Sequence, residues 1–183
     1  MPSSLTHAVA ATAISAAFYR PGVAKRVWIV GIVCSMLPDI DLIGFRFGIH
    51  YGDFWGHRGF THSLVFAALL AAILTVVMWQ MRAQISRLAL FSYLFLATAS
   101  HGLLDAMTNG GMGIAFFSPF DNHRYFFPWR PIRVSPIGVT RFFSYRGVAV
   151  LRAELLWVWL PSVLVIASVM IAARLRTRSA LAR

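Results

Sequence analysis

The sequence predicts an all-α integral membrane protein, a helical bundle of about three secure and two short membrane segments. The chain of 183 residues is 58% hydrophobic and only 13% charged, whereas about 25% of residues are charged in ordinary soluble domains. A soluble chain of this length buries only about 70% of its unfolded surface. So apolar a composition therefore indicates that lipid is part of the solvent. We expect one membrane-embedded domain covering residues 1–183.

Five apolar segments are candidates for the helices. Residues 63–81 and 153–173 each span a hydrocarbon core of roughly 30 Å at about 1.5 Å per residue, and residues 88–104 are a shorter third candidate. Residues 5–19 and 27–37 are short for a complete crossing, so the sequence leaves open whether they cross. A signal peptide is the competing interpretation of the first segment, but that segment lacks a charged n-region.

The stretch from about 105 to 152 differs from the apolar segments. It combines glycines, four prolines and a dense set of aromatic and arginine side chains, as in FFSPFDNHRYFFPWRPIRVSPIG. Prolines at this density exclude a continuous helix and favour short extended pieces and turns. Aromatic residues mixed with arginine are typical of the headgroup zone. We therefore predict a Pro/aromatic-rich extended loop at the membrane surface.

Basic residues give the chain a formal net charge of +11. They flank the apolar runs, which favours anionic membrane lipid over nucleic acid as the partner. If all five segments cross, one side of the membrane receives the basic residues that follow the first, third and last segments: Arg20, Lys25, Arg26, Arg82, Arg87, Arg174, Arg176, Arg178 and Arg183. The positive-inside rule makes that side cytoplasmic and predicts a multi-pass protein.

Histidines and aspartates lie at the ends of four segments, and the five-crossing topology brings these ends to the extracytoplasmic face. Charged groups beside lipid are costly and usually mark a functional site or an ion. Neutral imidazoles and carboxylates are normal ligands of divalent metals. We therefore predict a metal centre whose ligands are His7, Asp39, Asp41, His62, His101 and Asp105.

Local spacing supports this centre in two motifs. His101 and Asp105 are four residues apart on a predicted helix, so they share one face. Asp39 and Asp41 in LPDIDL cannot share a helix face. Because Pro38 disfavours helix in the residues before it, we expect a loop that turns both carboxylates to one centre.

A third motif, HRGFTHSL, precedes the segment at 63–81. Thr61 is predicted to cap this helix, which would place His62 in the first turn and His57 in the preceding loop. Arg58 and Gly59 between the histidines offer a guanidinium for phosphate and a close backbone approach.

Other ionisable residues have simpler interpretations. Cys34 is the only cysteine, which excludes a cysteine-based zinc site, and we expect it to be a small buried hydrophobe. Four further residues in loops are predicted to be surface residues: His50, Asp53, Asp121 and His123.

The motifs THAVAA, LPDIDL, HRGFTHSL and HGLLDAMTNGG, followed by RYFFPWRPI, resemble the YdjM/YbcI type of inner-membrane proteins, a family assigned by inference as metal-dependent hydrolases. The resemblance covers essentially the whole chain and implies a bacterial inner-membrane location. A more distant similarity is to the zinc-dependent phospholipase C and S1/P1 nuclease group, which implies zinc. Because a second HxxxE/D pair is missing downstream, one or two ions are expected rather than three.

The expected activity is metal-assisted hydrolysis of a phosphoester in a lipid or lipid-linked substrate. Asp39 is expected to be a ligand or the base, His57 a ligand or the acid for the leaving group, and Arg58 a phosphate clamp. The alternatives are a metal or proton transporter and a non-enzymatic membrane scaffold. A transporter would have polar groups through the depth of its helices, whereas here they lie at helix ends.

Overall fold

Helices, turns and loops make up the computed structural model, which describes residues 1–81, 83–135 and 145–181. Within those ranges no β-strand forms, and the all-α class is confirmed. The elements in chain order are α1 (Ser4–Phe18), α2 (Lys25–Met36), a 3-10 helix (Leu37–Phe47), a short 3-10 turn (Phe60–His62), α3 (Leu64–Gln80), α4 (Arg87–Ala106), α5 (Tyr145–Glu154), a π-helical segment (Leu155–Trp159) and α6 (Leu160–Leu181).

Three helical stretches are long and apolar enough to cross a membrane: Lys25–Phe47, Arg87–Ala106 and Gly147–Arg176. The predicted segment 63–81 forms the 17-residue helix α3, one of the shorter apolar helices. The segment 27–37 is longer than predicted, because the 3-10 helix continues α2 past Pro38. Proline is compatible with the start of a helical segment, where its missing N–H is not needed.

Helix α4 is the centre of the bundle and packs against α1, α2 and α3. Its buried apolar side chains join small residues of the neighbouring helices in one cluster, which includes Ala11, Val27, Ala71, Leu90, Tyr93, Leu94 and Ala97. Small side chains allow helices in lipid to approach closely. The contact of α2 with α4 shows this best, because a Cβ at Gly31 would lie 2.2 Å from the Tyr93 hydroxyl.

The last helical stretch begins earlier than the predicted segment 153–173, at Tyr145. Its Glu154 carboxylate is fully buried, and it accepts hydrogen bonds from the Ser3 backbone N–H at 2.5 Å, the Ser3 hydroxyl at 2.6 Å and the Thr6 hydroxyl at 2.8 Å. The π-helical segment follows directly, and Trp159 donates to the Thr6 hydroxyl at 2.8 Å. These contacts fasten the stretch to the first turn of α1.

The predicted Pro/aromatic-rich loop consists of turns and irregular backbone over residues 107–135. Two isolated bridges hold it: Thr108 pairs with Ile132 in parallel, and Ile114 pairs with Tyr125 in antiparallel orientation. Residues 136–144 of the predicted loop lie outside the described residues, as do Arg82 and Arg183 of the basic set. The prediction is wrong for residues 145–152, which belong to α5.

Candidate metal centre

Four side chains from three helical elements meet at one end of the bundle. Asp39 comes from the 3-10 helix after α2, His62 precedes α3, and His101 and Asp105 lie in the last turns of α4. Each offers one ligand atom, and these atoms all lie within 4.8 Å of one another. The helical spacing of His101 and Asp105 puts both on the face that α4 turns toward its neighbours.

The distances between these ligand atoms fit a metal better than they fit hydrogen bonds. Asp39 Oδ1 lies 3.3 Å from His101 Nε2 and 3.7 Å from His62 Nε2, which is itself 3.8 Å from Asp105 Oδ2. Donor atoms about 2.0–2.2 Å from a tetrahedral zinc ion are roughly 3.3–3.6 Å apart, so one of the three separations lies in this range and the other two are slightly longer. None of these buried atoms has a hydrogen-bond partner. Unpartnered buried polar atoms are rare and costly, and a shared cation satisfies all of them.

His7 in the first turns of α1 extends the same set. Its Nε2 lies 3.6 Å from Asp105 Oδ1, and its ring stacks on that of His101 with the ring centroids 3.7 Å apart. The side chain is fully buried, and neither ring nitrogen has a hydrogen-bond partner. The donor set near the centre is therefore three imidazoles and two carboxylates, a combination that suits zinc and other first-row divalent metals.

Two of the histidines are held so that Nε2 is free for a metal. His101 Nδ1 lies 2.7 Å from the Ser35 carbonyl oxygen and donates to it, so the lone pair is on Nε2. His62 Nδ1 lies 3.2 Å from Asp41 Oδ2. Metal-binding histidines usually have such an oxygen partner on the second nitrogen, which fixes both the tautomer and the ring.

Asp41 lies beside these ligands and accepts hydrogen bonds from three residues of the HRGFTHSL motif. Its Oδ1 accepts from His57 Nδ1 at 2.8 Å, and its Oδ2 accepts from the Arg58 backbone N–H at 3.2 Å and the Thr61 hydroxyl at 2.8 Å. Asp41, His57 and His62 form a second group that can hold an ion, with ligand atoms within the same 4.8 Å. Whether Asp41 binds a metal directly stays a prediction.

The predicted capping role of Thr61 is wrong. Ser63 caps α3 instead, because its hydroxyl accepts from the Phe66 backbone N–H at 3.0 Å. Thr61 donates its hydroxyl to Asp41, a partner 20 positions away in the chain, and His62 therefore lies in the 3-10 turn before the helix. A contact over that distance is invisible to a local capping pattern.

Arg58 is the largest fully buried side chain at the centre, and its guanidinium points inward. Nε lies 3.0 Å from Asp105 Oδ2, Nη1 donates to the Gly110 carbonyl at 2.8 Å and Nη2 donates to the Thr108 hydroxyl at 3.1 Å. Its backbone has a positive φ of 66°, which is uncommon outside glycine. That Arg58 clamps a phosphate stays a prediction. In the structure, the contacts of its guanidinium position Asp105.

The electrostatics of the two loop histidines differ. Burial disfavours the charged form of His62, but the adjacent carboxylates of Asp39 and Asp41 outweigh this effect and raise the His62 pKa to about 9. Burial lowers the pKa of His57, against the pull of Asp41. His62 thus lies where a positive charge is favoured, and either a proton or a metal can supply it.

The centre is closed on nearly all sides. The side chains of His7, His62, His101 and Asp105 have no exposed surface, whereas 10% of the Asp39 side chain is exposed. The predicted surface residues are exposed: His50, Asp53, Asp121 and His123. Sequence reasoning missed Ser35 and Thr108. The TNGG that follows Asp105 was the available signal for Thr108, whereas a backbone carbonyl such as that of Ser35 leaves no trace in a sequence.

Fold and site together define a helical membrane protein with a candidate divalent-metal centre of His and Asp ligands at one end of its bundle. The chain belongs to the family described as YdjM inner membrane protein, which matches residues 1–178. It is 40% identical over 166 residues to Inner membrane protein YbcI of Escherichia coli (strain K12), covering 90% of this chain and 94% of the relative. No solved structure matches. An inner-membrane location is thereby supported, and the two names state no reaction.

Proposed function

We propose that the protein is a membrane-bound metal-dependent hydrolase that cleaves a phosphoester of a lipid or lipid-linked substrate. The observation that carries the proposal is the convergence of unpartnered buried donor atoms from His7, Asp39, His62, His101 and Asp105. A divalent ion held there lowers the pKa of a bound water toward about 7 and stabilises negative charge on phosphoryl oxygens. Zinc is the ion that this donor set favours.

Asp39 and His57 are the residues to which we assign proton transfer. Asp39 has the most accessible side chain of the first set, so a substrate would approach from its side, where it accepts a proton or binds the ion. His57 donates Nδ1–H to Asp41, which leaves the Nε2 lone pair to take up a proton from water and then give it to the leaving group. An aspartate that orients a histidine in this way fixes the tautomer needed for such a transfer.

A lipid or lipid-linked substrate fits the surroundings of the centre. The loop after α4 exposes large aromatic side chains, with Phe117 51%, Phe120 87% and Trp129 54% exposed, and Arg130 lies over the Phe126 ring. Exposed aromatics and arginine are typical of the headgroup level of a bilayer. We place the centre on the extracytoplasmic side of a multi-pass protein, where the predicted charge distribution puts it.

A second candidate is a membrane scaffold whose metal is purely structural. The burial of every donor atom favours it, because structural zinc sites are closed whereas catalytic sites keep one position open. Both the hydrolase and the scaffold would bind a metal, but only the hydrolase would turn over a substrate.

The test is a hydrolysis screen of purified, metal-loaded protein against phospholipids and lipid diphosphates. We expect release of a phosphorylated headgroup or phosphate by the wild type and none by His57→Ala, with metal content unchanged in that variant. Equal metal in both proteins and no turnover by either would favour the scaffold. Metal flux into vesicles without hydrolysis would favour a transporter.

A further inference from the structure

The charges around the centre are unequal. Asp39, Asp41 and Asp105 carry three negative charges, and the guanidinium of Arg58 pairs with one of them, Asp105, at 3.0 Å. With the histidines neutral, as metal binding requires, the cluster keeps a surplus of two negative charges. Buried charges are strongly unfavourable unless they are balanced. One divalent ion balances this surplus, whereas two would leave an excess of positive charge.

The Arg58 guanidinium also lies against one of the two oxygens of the Asp105 carboxylate. In a centre with two metals a carboxylate commonly binds one ion through each oxygen, and the ions lie about 3.5–4 Å apart. Here Asp105 Oδ1 faces His7 at 3.6 Å, whereas Oδ2 lies 3.8 Å from His62 Nε2 and 3.0 Å from Arg58 Nε. If two ions shared Asp105, one of them would therefore be bound beside the Arg58 charge.

The surrounding loop is shaped to keep the guanidinium in that position. Gly110 and Thr108 each accept one of its N–H groups, and Thr108 in turn donates to the Asp105 carbonyl at 2.7 Å. At Gly111 the backbone has a φ of +89°, and a Cβ there would lie 2.5 Å from Arg58 Nη1. Only glycine leaves room for the guanidinium, so the TNGG sequence encodes its pocket.

We propose that the centre holds a single divalent ion and that the Arg58 guanidinium stands in the place of a second one. The inference rests on the proposed function only for the presence of a metal, not for catalysis. Arg58 is then a positioning residue: it fixes Asp105 and keeps the local charge balanced. The geometry of the second group agrees with this count, because His57 Nδ1 and Asp41 Oδ1 are already joined by a 2.8 Å hydrogen bond.

The experiment is a metal titration of purified full-length protein in detergent, stripped with chelator and then loaded with Zn²⁺ or Co²⁺. Bound metal is measured by elemental analysis after removal of free ion. We expect the wild type to saturate at about one ion per chain. Arg58→Gln removes the charge and should bind a second ion at excess metal. Arg58→Lys keeps the charge and should stay at one ion, and the exposed Arg130→Gln is the matched control, with wild-type behaviour.

Two results would overturn the inference. One is a wild-type protein that binds two ions with similar affinity, which needs no variant to be interpretable. The other is a folded Arg58→Gln that holds one ion at every metal concentration. A wild type with one ion and no hydrolysis would refute the proposed function and leave this inference intact, whereas hydrolysis with two ions would do the reverse.

Discussion

Helix α4 buries one continuous stripe of side chains, which is apolar in the first half of the helix and ionisable in the second half. In the first half, Leu90, Leu94 and Ala97 are fully buried in an apolar cluster with the neighbouring helices. In the second half, His101 and Asp105 continue the same stripe, equally buried, among imidazoles and carboxylates. Spacing and burial are alike in the two halves, so the difference lies in the chemistry of the groups that surround each half.

The apolar half needs no ligand, because its buried side chains pack against other apolar side chains. Among the described residues, ten buried side-chain nitrogen and oxygen atoms lack a hydrogen-bond partner. One belongs to Thr75, and the other nine belong to residues of the polar half: His7, Asp39, Arg58, His62, His101 and Asp105. Burial of unmet polar groups opposes folding. Apolar packing thus stabilises one end of the bundle, whereas the other end needs a bound cation. Four predictions test this difference.

The largest effect is expected from His101→Ala combined with Asp105→Ala. The double variant removes two donors from the same helix face, so metal binding, worth on the order of 10 kcal/mol in structural zinc sites, should be lost together with any hydrolysis. Elemental analysis and the hydrolysis screen measure both. Ser100→Ala is the matched control, since its hydroxyl donates to the Ala97 carbonyl of the same helix. Full metal content in the double variant would refute the centre.

Chelation of the wild type should have the next largest effect. An ion present at 1,000 times its Kd stabilises the folded state by about 4 kcal/mol, so its removal should lower the Tm clearly. The double variant at His101 and Asp105 should show no such shift with the same chelator. Thermal unfolding in detergent measures the difference, and an equal shift in both proteins would assign the effect to the chelator itself.

Leu94→Ala tests the opposite half. Leu94 is fully buried, and removing its side chain should cost about 2–5 kcal/mol through lost contacts and a cavity. Metal stoichiometry should stay unchanged, because the contacts at His101 and Asp105 do not involve it. Leu96→Ala is the matched control, since 43% of Leu96 is exposed. A loss of metal in Leu94→Ala would show that the two halves are coupled.

The sequence predicted the features that depend on residues close together in the chain, and it missed those that depend on distant partners. Apolar segment lengths and the four-residue spacing of His101 and Asp105 are written into neighbouring positions, and both helices and pair are present in the structure. The start of the last helix was missed, because Glu154 looks like a helix boundary until its partners Ser3 and Thr6 are known.

The site was less predictable than the helices for the same reason. Thr61 has the features of a cap, and only the distant Asp41 shows why it is not one. Arg58 looks like a phosphate ligand in a Gly-containing loop, whereas its contacts with Asp105 and Thr108 join positions about 50 residues apart. Pairings of this kind depend on the assembled bundle, which local spacing does not specify.

The smallest effect is expected from Tyr93→Phe at the far end of the apolar half. The Tyr93 hydroxyl donates to the Trp28 carbonyl at 3.1 Å, and the variant keeps the ring while it loses that bond. A cost of about 1 kcal/mol is expected. Tyr125→Phe, whose hydroxyl bonds to the exposed Asp121, is the matched control. Because the two halves are balanced separately, the Tyr93→Phe shift in thermal unfolding should be equal with saturating metal and with chelator. A shift that appears only with metal would mean that the apolar half transmits the state of the centre.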